Sequence, residues 1–584
     1  MSAAPPPPVK RRRRLSTAPV VLLWALIMTP LLTWGLPSSR HDDLLFGGEP
    51  AWKAEHYHIA ALLQRLRERD AGADTDLDPI TGRDRLVDLT VDDQARAEIL
   101  LAYRLYSRQP DEMLTFRALM RMRPWPPDFD PRMYQYGGGY IYLVGAALGA
   151  SAVSGLVHLT RDAGFYLEHP EQFARFYIVA RCVSLVFGVL TLVAVHKLAR
   201  RAAGRTAGWF ALLAAACCPV FITAVLEAKP HLPSACMVLW ATLSALDYQA
   251  RGRMRDALRM GLQAGYAFGL VLTGCLAALL WPALFLARSA AGRRAALRPL
   301  LVAGGAALAV YALTNPYLPY DLVTGRAAVA SNIANSTAMY QGQMRQALSG
   351  AVRVAELLLE SAGLGVLLAG SLGLALLLRR HPRAAVIGSL PGLGMLVLGA
   401  ALGAGKPAEC ARFLILPVLL LCVAAATLFA MLARRRPLLA LLALIVVLGV
   451  MRTPVYVRSF AEDVRGDREA RAQAGVFLKD HLGPADAVGV LQEPAPYAVP
   501  PLDFAHRRIV LLPARRPRDL DEGALPTWLV FTADDDGTHA GGWWHAHYKL
   551  AARFPPACAS LSRISWANKL TFIYGPRPRD TAAP

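Results

Sequence analysis

Apolar residues recur along most of the chain in uninterrupted runs that are separated by short polar or basic turns. Lipid offers the backbone no hydrogen-bond partners, so runs rich in Leu and Ala indicate membrane helices and not a barrel. A helix of about twenty apolar residues crosses the roughly 30 Å of hydrocarbon in a bilayer. The pattern predicts about eleven such spans, near residues 18–36, 139–157, 176–196, 207–226, 232–249, 262–287, 299–314, 354–378, 383–403, 413–433 and 437–452.

The first apolar run, Ala18–Leu36, follows five basic residues and no acidic one. A cleaved signal peptide also has a basic start, but its apolar core is shorter and ends at a small-x-small site. This run is long and has no clear site of that kind, so we interpret it as a retained anchor. The Pro- and Arg-rich residues 1–17 are predicted to be disordered on the cytoplasmic side.

A long polar stretch, Pro37 to about Gln135, follows the first run on its outer side. Within it, Trp52–Arg69 and Asp93–Arg123 have Leu, Ile and Met at helical spacing, with charges on the opposite face. Helices of this kind lie along membrane interfaces. The stretch is far longer than an ordinary connection and carries helices of its own, which favours a functional role.

The chain changes character after residue 452, where apolar residues become intermittent and Pro, Asp and Arg increase. Asp467–His481 has the pattern of an amphipathic helix, and short apolar segments at 487–491, 508–512, 527–532 and 569–574 are typical of strands. Residues 453–584 are therefore predicted to form a small soluble α/β domain on the outer face. Residues 18–452, with the outer loop 37–135, are predicted to form the transmembrane part.

The formal net charge of +20 comes largely from basic residues in the turns between apolar runs. This distribution follows the positive-inside rule, with anionic lipid headgroups as partners. No aromatic residues alternate with the basic clusters to form a nucleic-acid platform, so no nucleic-acid partner is predicted. Strict alternation of the spans conflicts with this rule at His196–Arg205 and Ala250–Arg259, and a re-entrant pair within 262–287 would reconcile the two.

Two adjacent aspartates, Asp42 and Asp43, follow the first run within a few residues, and His41 precedes them. Adjacent carboxylates repel each other, so one tends to keep a proton or to attract a cation. At the membrane surface, beside a lipid phosphate, a carboxylate is suited to act as a general base. The alternative is an ordinary solvated loop or the start of a helix.

An aromatic and glycine-rich stretch, Asp130–Tyr140, leads into the second run. It contains Arg132, Tyr134 and Tyr136, and three consecutive glycines begin at Gly137. Glycines allow close approach of a ligand to the backbone, or a sharp turn. Aromatic residues at an interface are also common membrane anchors, so both interpretations stay open.

Charged residues near the ends of later runs are further candidates, because charges there are costly and usually have a partner or a role. They are Lys229 and His231 in 227–231, Tyr317 in 315–321, and Lys406 and Arg412 in 406–413. An arginine suits a phosphate because it stays charged and presents a fixed fork of donors. The alternatives are a Pro-driven helix end at 315–321 and side chains that reach for headgroups at 406–413.

A metal site is a weaker alternative. His56 and His58, near Asp42 and Asp43 in the sequence, are two residues apart and would not share a helix face. The sequence therefore predicts no metal ligands and no certain cofactor, and it leaves a divalent cation open.

In their order and spacing, these motifs resemble the GT-C superfamily of membrane glycosyltransferases. The nearest likeness is to phospholipid-carrier-dependent enzymes related to protein mannosyltransferases and aminoarabinose transferases. The resemblance covers nearly the whole chain, and the matching segments are 41–43, 134–140, 176–181, 229–233, 265–287, 315–317, 412–417 and, in part, 467–472. It implies a GT-C-like helical fold and a small outer domain.

The resemblance also implies a reaction at the outer face, with a polyprenyl-phosphate sugar as donor and a lipid, glycan or protein as acceptor. An acidic catalytic residue is expected in the first outer loop, where the matching position is Asp43 or Asp42. The family often has Asp-Glu there, whereas this sequence has Asp-Asp followed by Leu44. In an inverting displacement, Asp43 would take the acceptor proton, and Arg412 with Lys406 would stabilise the released phosphate.

The expected location is the bacterial inner membrane, with the active site on the periplasmic face. Two other classes stay as alternatives. A lipid or sugar transporter would have charges near the middle of broken spans, whereas those here lie mostly at span ends. A membrane-anchored scaffold would not need the aspartate pair, and its outer domain would bind partners by itself.

Overall fold

The computed structural model describes residues 16–47, 86–90, 93–123, 125–405, 407–513, 515–518, 520–534, 537, 542–558 and 563–577. The predicted helix Trp52–Arg69, with His56 and His58, lies outside the described residues, and so does Lys406. Within the described part, helices predominate and a small mixed sheet follows them.

The helices differ widely in length, and the longest form a bundle. The first are α1 (Ala18–Met28), α2 (Asp42–Leu45), α3 (Asp93–Leu105), α4 (Glu112–Arg121), α5 (Gly138–Val153), α6 (Ala163–Glu168), α7 (Pro170–Ala203), α8 (Arg205–Ala216), α9 (Pro219–Leu226), α10 (His231–Arg251), α11 (Met254–Leu270), α12 (Leu280–Leu286) and α13 (Ala290–Thr314). After them come α14 (Tyr317–Asp321), α15 (Arg326–Met344), α16 (Ala347–Arg380), α17 (Pro382–Leu402), α18 (Pro407–Cys410), α19 (Ile415–Arg435), α20 (Pro437–Val450), α21 (Thr453–Arg465) and α22 (Ala470–His481).

Several of these helices are long and apolar enough to cross a membrane. In the described residues they are Pro170–Ala203, Gly292–Thr314, Ala347–Arg380, Pro382–Leu402, Pro407–Arg435 and Pro437–Arg465. The pair α8 and α9 qualifies as one span bent by 64°, because Pro219 keeps Cys218 out of the helical conformation. Apolar helices at Ala18–Thr33, Gly138–Val153 and Leu272–Leu286 are shorter. The predicted helical multi-pass membrane fold is confirmed, while the number of about eleven spans stays a prediction.

Basic helix ends meet at one end of the bundle, which we call the basic end. Arg201 of α7 pairs with Asp247 of α10, and Arg434 of α19 donates to the Ala203 carbonyl at 3.3 Å. Arg288, after α12, donates to the Tyr248 carbonyl at 3.3 Å. The turns predicted to be cytoplasmic from their charge therefore share one end.

At the opposite end, which we call the site end, the helices are joined by hydrogen bonds of uncharged and acidic side chains. The Trp34 indole donates to the Leu226 carbonyl at 2.9 Å, and the backbone N–H of Ser39 donates to Glu171 at 2.7 Å. The run 262–287, predicted as one span or a re-entrant pair, is two segments. The helix α11 runs from the basic end to the site end, where the backbone is extended at Val271. The segment Leu272–Leu286 then runs back to the basic end.

The sheet combines residues from two distant parts of the chain. Its strands are β1 (Val87–Asp88), β2 (Val488–Val490), β3 (Ile509–Leu511), β4 (Trp528–Ala533), β5 (Tyr548–Phe554) and β6 (Leu570–Pro576), in the order β1-β3-β2-β4-β6-β5. The strand β2 is parallel to β3 and β4, and the other pairs are antiparallel. The predicted helix 467–481 and four strands are present, and the outer loop adds β1.

A buried cluster of charges joins the outer loop to the residues that follow the last span. Arg108 Nη1 lies 2.5 Å from Asp463 and its Nη2 lies 3.3 Å from Glu469. Arg471 pairs with Glu469, and its Nη2 lies 3.5 Å from Asp463. Two arginines thus pair with two carboxylates, and the buried cluster has no net charge. Buried ions need such pairing because burial removes their hydration.

The Arg108→Met variant is expected to lower stability by about 3–5 kcal/mol, because it leaves two buried carboxylates with a single arginine. Thermal unfolding of the purified protein in lipid nanodiscs would measure the loss. The matched control is Arg458→Met, since Arg458 is 68% exposed and pairs with Glu462 one turn away. That exposed pair should contribute less than about 1 kcal/mol, and equal losses in the two variants would contradict the role of the cluster.

Candidate functional site

A cavity opens at the site end, between the end of α9, the residues before α19 and the loop before β6. We call it the site cavity. Its wall combines apolar side chains with a few charged ones, and consists of Val220, Thr223, Ala224, Glu227, Lys229, His231, Leu232, Ala408, Ala411, Arg412, Ile415 and Ile564. Glu227 and Lys229 lie in the turn between α9 and α10, His231 begins α10, and Arg412 lies in the turn before α19. Ile564 belongs to the loop before β6.

Two cations and one carboxylate meet at the charged side of this cavity. Lys229 Nζ lies 2.6 Å from Asp111 Oδ2, and Arg412 Nη1 lies 4.0 Å from the same oxygen. The Lys229 side chain is 5% exposed and that of Asp111 is 19% exposed. Burial by itself raises the pKa of Asp111, but the charges of Lys229 and Arg412 outweigh it and lower that pKa to about 2. Asp111 is therefore ionised.

Glu112, next to Asp111, forms hydrogen bonds with α7 and with the turn between α9 and α10. Arg181 donates to its two oxygens at 2.8 and 2.7 Å, and all of these side chains are buried. The same carboxylate accepts the backbone N–H of Ala228 at 2.7 Å, directly before Lys229. Glu112 thus ties the outer loop to the turn that carries Lys229, which sets the distance between Lys229 and Asp111.

Glu227 lies at the other edge of this group. Gln109 Nε2 donates to its Oε2 at 3.3 Å, and Lys229 Nζ lies 3.9 Å from that oxygen. Burial is the main cause that raises the pKa of Glu227 to about 7, and the nearby carboxylates of Glu112 and Asp111 act in the same direction. Glu227 therefore changes charge near neutral pH.

Two buried polar atoms beside the cations have no hydrogen-bond partner among the described residues. They are the Tyr136 hydroxyl and His231 Nδ1, and the two rings meet edge to face at 5.8 Å. Buried polar atoms are almost always paired, so such atoms in a cavity wall are suited to a ligand. Tyr340 of α15 adds a further hydroxyl, which accepts from Arg412 at 3.4 Å.

Of the residues predicted from the sequence, Tyr136, Lys229, His231 and Arg412 come together here. Gly137 lies at the edge of the site, and its role is in packing. A Cβ there would lie 2.0 Å from the Gly269 carbonyl oxygen, so only glycine allows the start of α5 to touch the end of α11.

Arg132, Tyr134 and Tyr317 belong to a neighbouring cluster. Tyr134 donates to Asp321 at 2.6 Å, and Arg132 lies 3.2 Å from Asp128. The Tyr317 hydroxyl accepts the backbone N–H of Phe129 at 3.2 Å. The contacts of Tyr317 and Tyr134 join the outer loop to α14, and none of the three residues lines the site cavity.

His41, Asp42 and Asp43 lie apart from the cavity wall. Asp42 pairs with Arg104 at 2.9 Å, and burial is the main cause that raises its pKa. Asp43 is 63% exposed and lies 3.4 Å from Lys479. Burial, followed by the charge of Arg108, lowers the pKa of His41 to about 4. The described residues contain no group of three or more His, Cys, Asp or Glu that could hold a metal.

The sequence interpretation missed Asp111. It treated Asp93–Arg123 as one amphipathic helix, in which charges look like an ordinary solvated face. The structure has two helices, α3 and α4, with a break at 106–111. The sequence does contain an Asp-Glu pair at Asp111-Glu112, although the family resemblance implies such a pair at the position of Asp42 and Asp43.

Comparison with known proteins gives one family match. Residues 176–320 match the model of the dolichyl-phosphate-mannose-protein mannosyltransferase family, and this range includes Lys229 and His231. The match confirms the predicted resemblance to the membrane glycosyltransferases of the GT-C superfamily. None of the curated proteins matches the chain.

Two solved structures show a distant likeness. The archaeal oligosaccharyltransferase AglB from Archaeoglobus fulgidus, with an inhibitory peptide and a dolichol-phosphate, is 14% identical over 75% of this chain and 62% of its own, with a TM-score of 0.40. This chain thus spans less than two thirds of that protein. ArnT from Cupriavidus metallidurans, bound to undecaprenyl phosphate, is 12% identical over 98% of this chain and 100% of its own, with a TM-score of 0.43. Likeness of this degree supports no further inference.

Proposed function

We propose that this membrane protein transfers a sugar from a polyprenyl-phosphate-linked donor to an acceptor at the outer face of the membrane. One observation carries the proposal. Lys229, which is buried, and Arg412, whose side chain is 16% exposed, line a cavity at the end of the helix bundle opposite the basic turns, and both flank the ionised Asp111. The match to a mannosyltransferase family supports it, and the basic turns favour a periplasmic site in a bacterial inner membrane.

In this proposal, Lys229 and Arg412 bind the phosphate of the donor. Both cations lie within 4.0 Å of one oxygen of Asp111, so a phosphate that replaces this contact would meet both of them. Cations held in a site that excludes water stabilise the negative charge that develops on the leaving phosphate. The Tyr136 hydroxyl and His231 Nδ1 are close enough to the cations to bind sugar hydroxyls.

Asp111 is the general base that the geometry supports best. It would take the proton of the acceptor hydroxyl while that oxygen attacks the sugar carbon, and the phosphate would leave with the bonding electrons. In the absence of donor, two cations hold its proton affinity low. When the phosphate engages those cations, their field at Asp111 weakens, and its proton affinity rises toward that of an ordinary carboxylate. Asp43 stays as the second candidate base.

The direct test is donor turnover by the purified protein in lipid nanodiscs. A panel of radiolabelled polyprenyl-phosphate sugars is offered with lipid, glycan and peptide acceptors, and release of free polyprenyl phosphate is measured. Turnover of at least one donor that depends on an acceptor is the expected result. If no donor is bound or consumed, while the protein moves lipid-linked sugars between the leaflets of vesicles, the transporter interpretation is correct.

Donor affinity is expected to fall as the pH rises through about 7. Below that value Glu227, whose pKa is about 7, is mostly protonated and neutral. Above it, a carboxylate lies beside Lys229 and repels the donor phosphate. Donor KM measured across this range should rise with pH, and the Glu227→Gln variant should flatten the dependence. The Glu171→Gln variant, altered at a carboxylate that contacts Ser39, should keep the wild-type profile.

A further inference from the structure

We propose that residues 138–162, which we call the surface segment, lie flat on the membrane at the site end and do not cross the bilayer. The apolar run at 139–157 predicted a span. The contacts at the two ends of this run, the face it exposes and the charges of later turns all favour a helix that binds the lipid surface. The inference does not depend on the proposed sugar transfer.

The surface segment begins at the site end. The backbone N–H of Gly137 donates to the Leu270 carbonyl at 3.0 Å, and that of Gly138 donates to Asn315 Oδ1 at 2.8 Å. Leu270 ends α11 and Asn315 follows the last residue of α13. Both helices come from basic turns at the other end of the bundle, so α5 starts where they finish.

The end of α5 lies at the same end of the bundle. Arg175 Nη1 donates to the Leu156 carbonyl at 3.3 Å, and Arg175 lies in the second turn of α7. Glu171, in the first turn, accepts from Ser39 just after the first apolar run. A spanning helix would carry its end about 24 Å toward the basic end, at 1.5 Å per residue. The contact with the start of α7 excludes that course.

The exposed face of the surface segment is apolar. No Asp, Glu, Lys or Arg occurs between Arg132 and Arg161. One face of α5 packs on the outer loop through Tyr140, Ile141, Val144 and Leu148, which are buried. On the other side, Val153 at the end of α5 is 92% exposed, and Leu156 and Leu159 in the segment that follows are 65% and 55% exposed.

Monomers in water rarely expose a contiguous apolar face. A helix at the membrane interface buries such a face among headgroups and acyl chains. The surface segment starts beside α13, which is long and apolar enough to cross a membrane, so its apolar face continues the lipid-facing surface of that helix. The fitting partner is therefore the outer leaflet of the bilayer.

The charges of later turns support the same course independently. If α5 does not cross, α7 runs from the site end to the basic end, where Arg201 pairs with Asp247. The turns 196–205 and 250–259 then fall on one side, together with the basic turns after α12, α16 and α19. Together with the two segments of 262–287, this course removes the conflict between strict alternation and the positive-inside rule.

Accessibility of single cysteines tests the course of the segment. The variants Arg161→Cys, Asp480→Cys and Arg251→Cys are reacted with a membrane-impermeant maleimide in vesicles whose outer face is exposed. Mass spectrometry of each labelled peptide makes it unnecessary to remove the native cysteines. Arg161→Cys should react like Asp480→Cys, at least tenfold faster than Arg251→Cys, until the vesicles are permeabilised. Reaction of Arg161→Cys only after permeabilisation, together with Arg251→Cys, would overturn the proposal.

Contact with lipid is tested with a fluorescent label at the exposed face. The Val153→Cys variant carries a bimane group and is reconstituted with phosphatidylcholine brominated near the headgroup or deep in the acyl chain. We expect at least twofold quenching by the shallow bromine and less by the deep one. The label at Asp480→Cys is the control and should not be quenched. Equal intensity in brominated and ordinary lipid at Val153→Cys would show that this face meets water, and preferential quenching by the deep bromine would restore the span.

Discussion

The Asp111→Asn variant is expected to lose sugar transfer by about 10²–10⁴-fold, the contribution of a positioned general base. Asparagine keeps the shape of aspartate, but its amide cannot take the proton of an acceptor hydroxyl. The side chain lies 2.6 Å from Lys229 and 4.0 Å from Arg412, so the change removes the carboxylate nearest to the proposed phosphate site. The turnover number should fall far more than the donor affinity.

The matched control is Asp43→Asn, which makes the same substitution in the same outer loop. Asp43 is 63% exposed and its neighbour is Lys479, so this variant should stay close to the wild-type rate. Equal amounts of folded protein, verified by thermal unfolding, are required for the comparison. Loss of transfer in Asp43→Asn with full activity in Asp111→Asn would assign the base to Asp43.

The Lys229→Met variant is expected to lose both donor affinity and stability. A hydrogen bond to a charged group contributes about 1.5–3 kcal/mol, so donor KM should rise roughly 10- to 150-fold. Lys229 is 5% exposed, and its removal leaves Asp111 with only the more distant Arg412. Loss of one partner of a buried pair costs about 3–5 kcal/mol. Steady-state kinetics and thermal unfolding measure the two effects separately.

A double variant separates the two roles of this pair. In Asp111→Asn with Lys229→Met neither charge is left behind, so stability should recover toward that of the wild type while transfer stays absent. Lys479→Met is the control, because its pair with Asp43 is 47% and 63% exposed and should contribute less than about 1 kcal/mol. If the double variant unfolds at the same temperature as Lys229→Met, the loss in Lys229→Met does not come from the carboxylate left without its partner.

The long apolar runs made the helical membrane fold predictable, because lipid permits few other structures for them. The strands β2, β3, β4 and β6 were predictable for a similar reason, since they are short apolar segments between polar turns. The strand β1 was not, because two residues carry no pattern and pair only with a distant segment. The strand β5 is exposed or partly exposed after its first residue, so its sequence differs little from that of a loop.

The candidate site was predictable only for charged residues that lie at the end of a long apolar run. Lys229 and Arg412 do so, and both line the site cavity. Asp111 lies among many other charges in the outer loop, so periodicity alone could not single it out. What distinguishes Asp111 is its contact with Lys229, more than a hundred residues later in the chain, and such contacts come from tertiary packing. Asp43 has a conspicuous position in the sequence, but its neighbour in the structure is a surface lysine.

The residues of the candidate site are synthesised at widely different times. Asp111, Lys229, Arg412 and Ile564 are widely separated in the chain, and Ile564 is completely buried. At about 5–20 residues per second, translation from the first of them to the last takes on the order of half a minute. During that time a nascent chain has Asp111 without its complete set of cations and without the apolar side chain of Ile564. The site is therefore completed only when the loop before β6 has been synthesised.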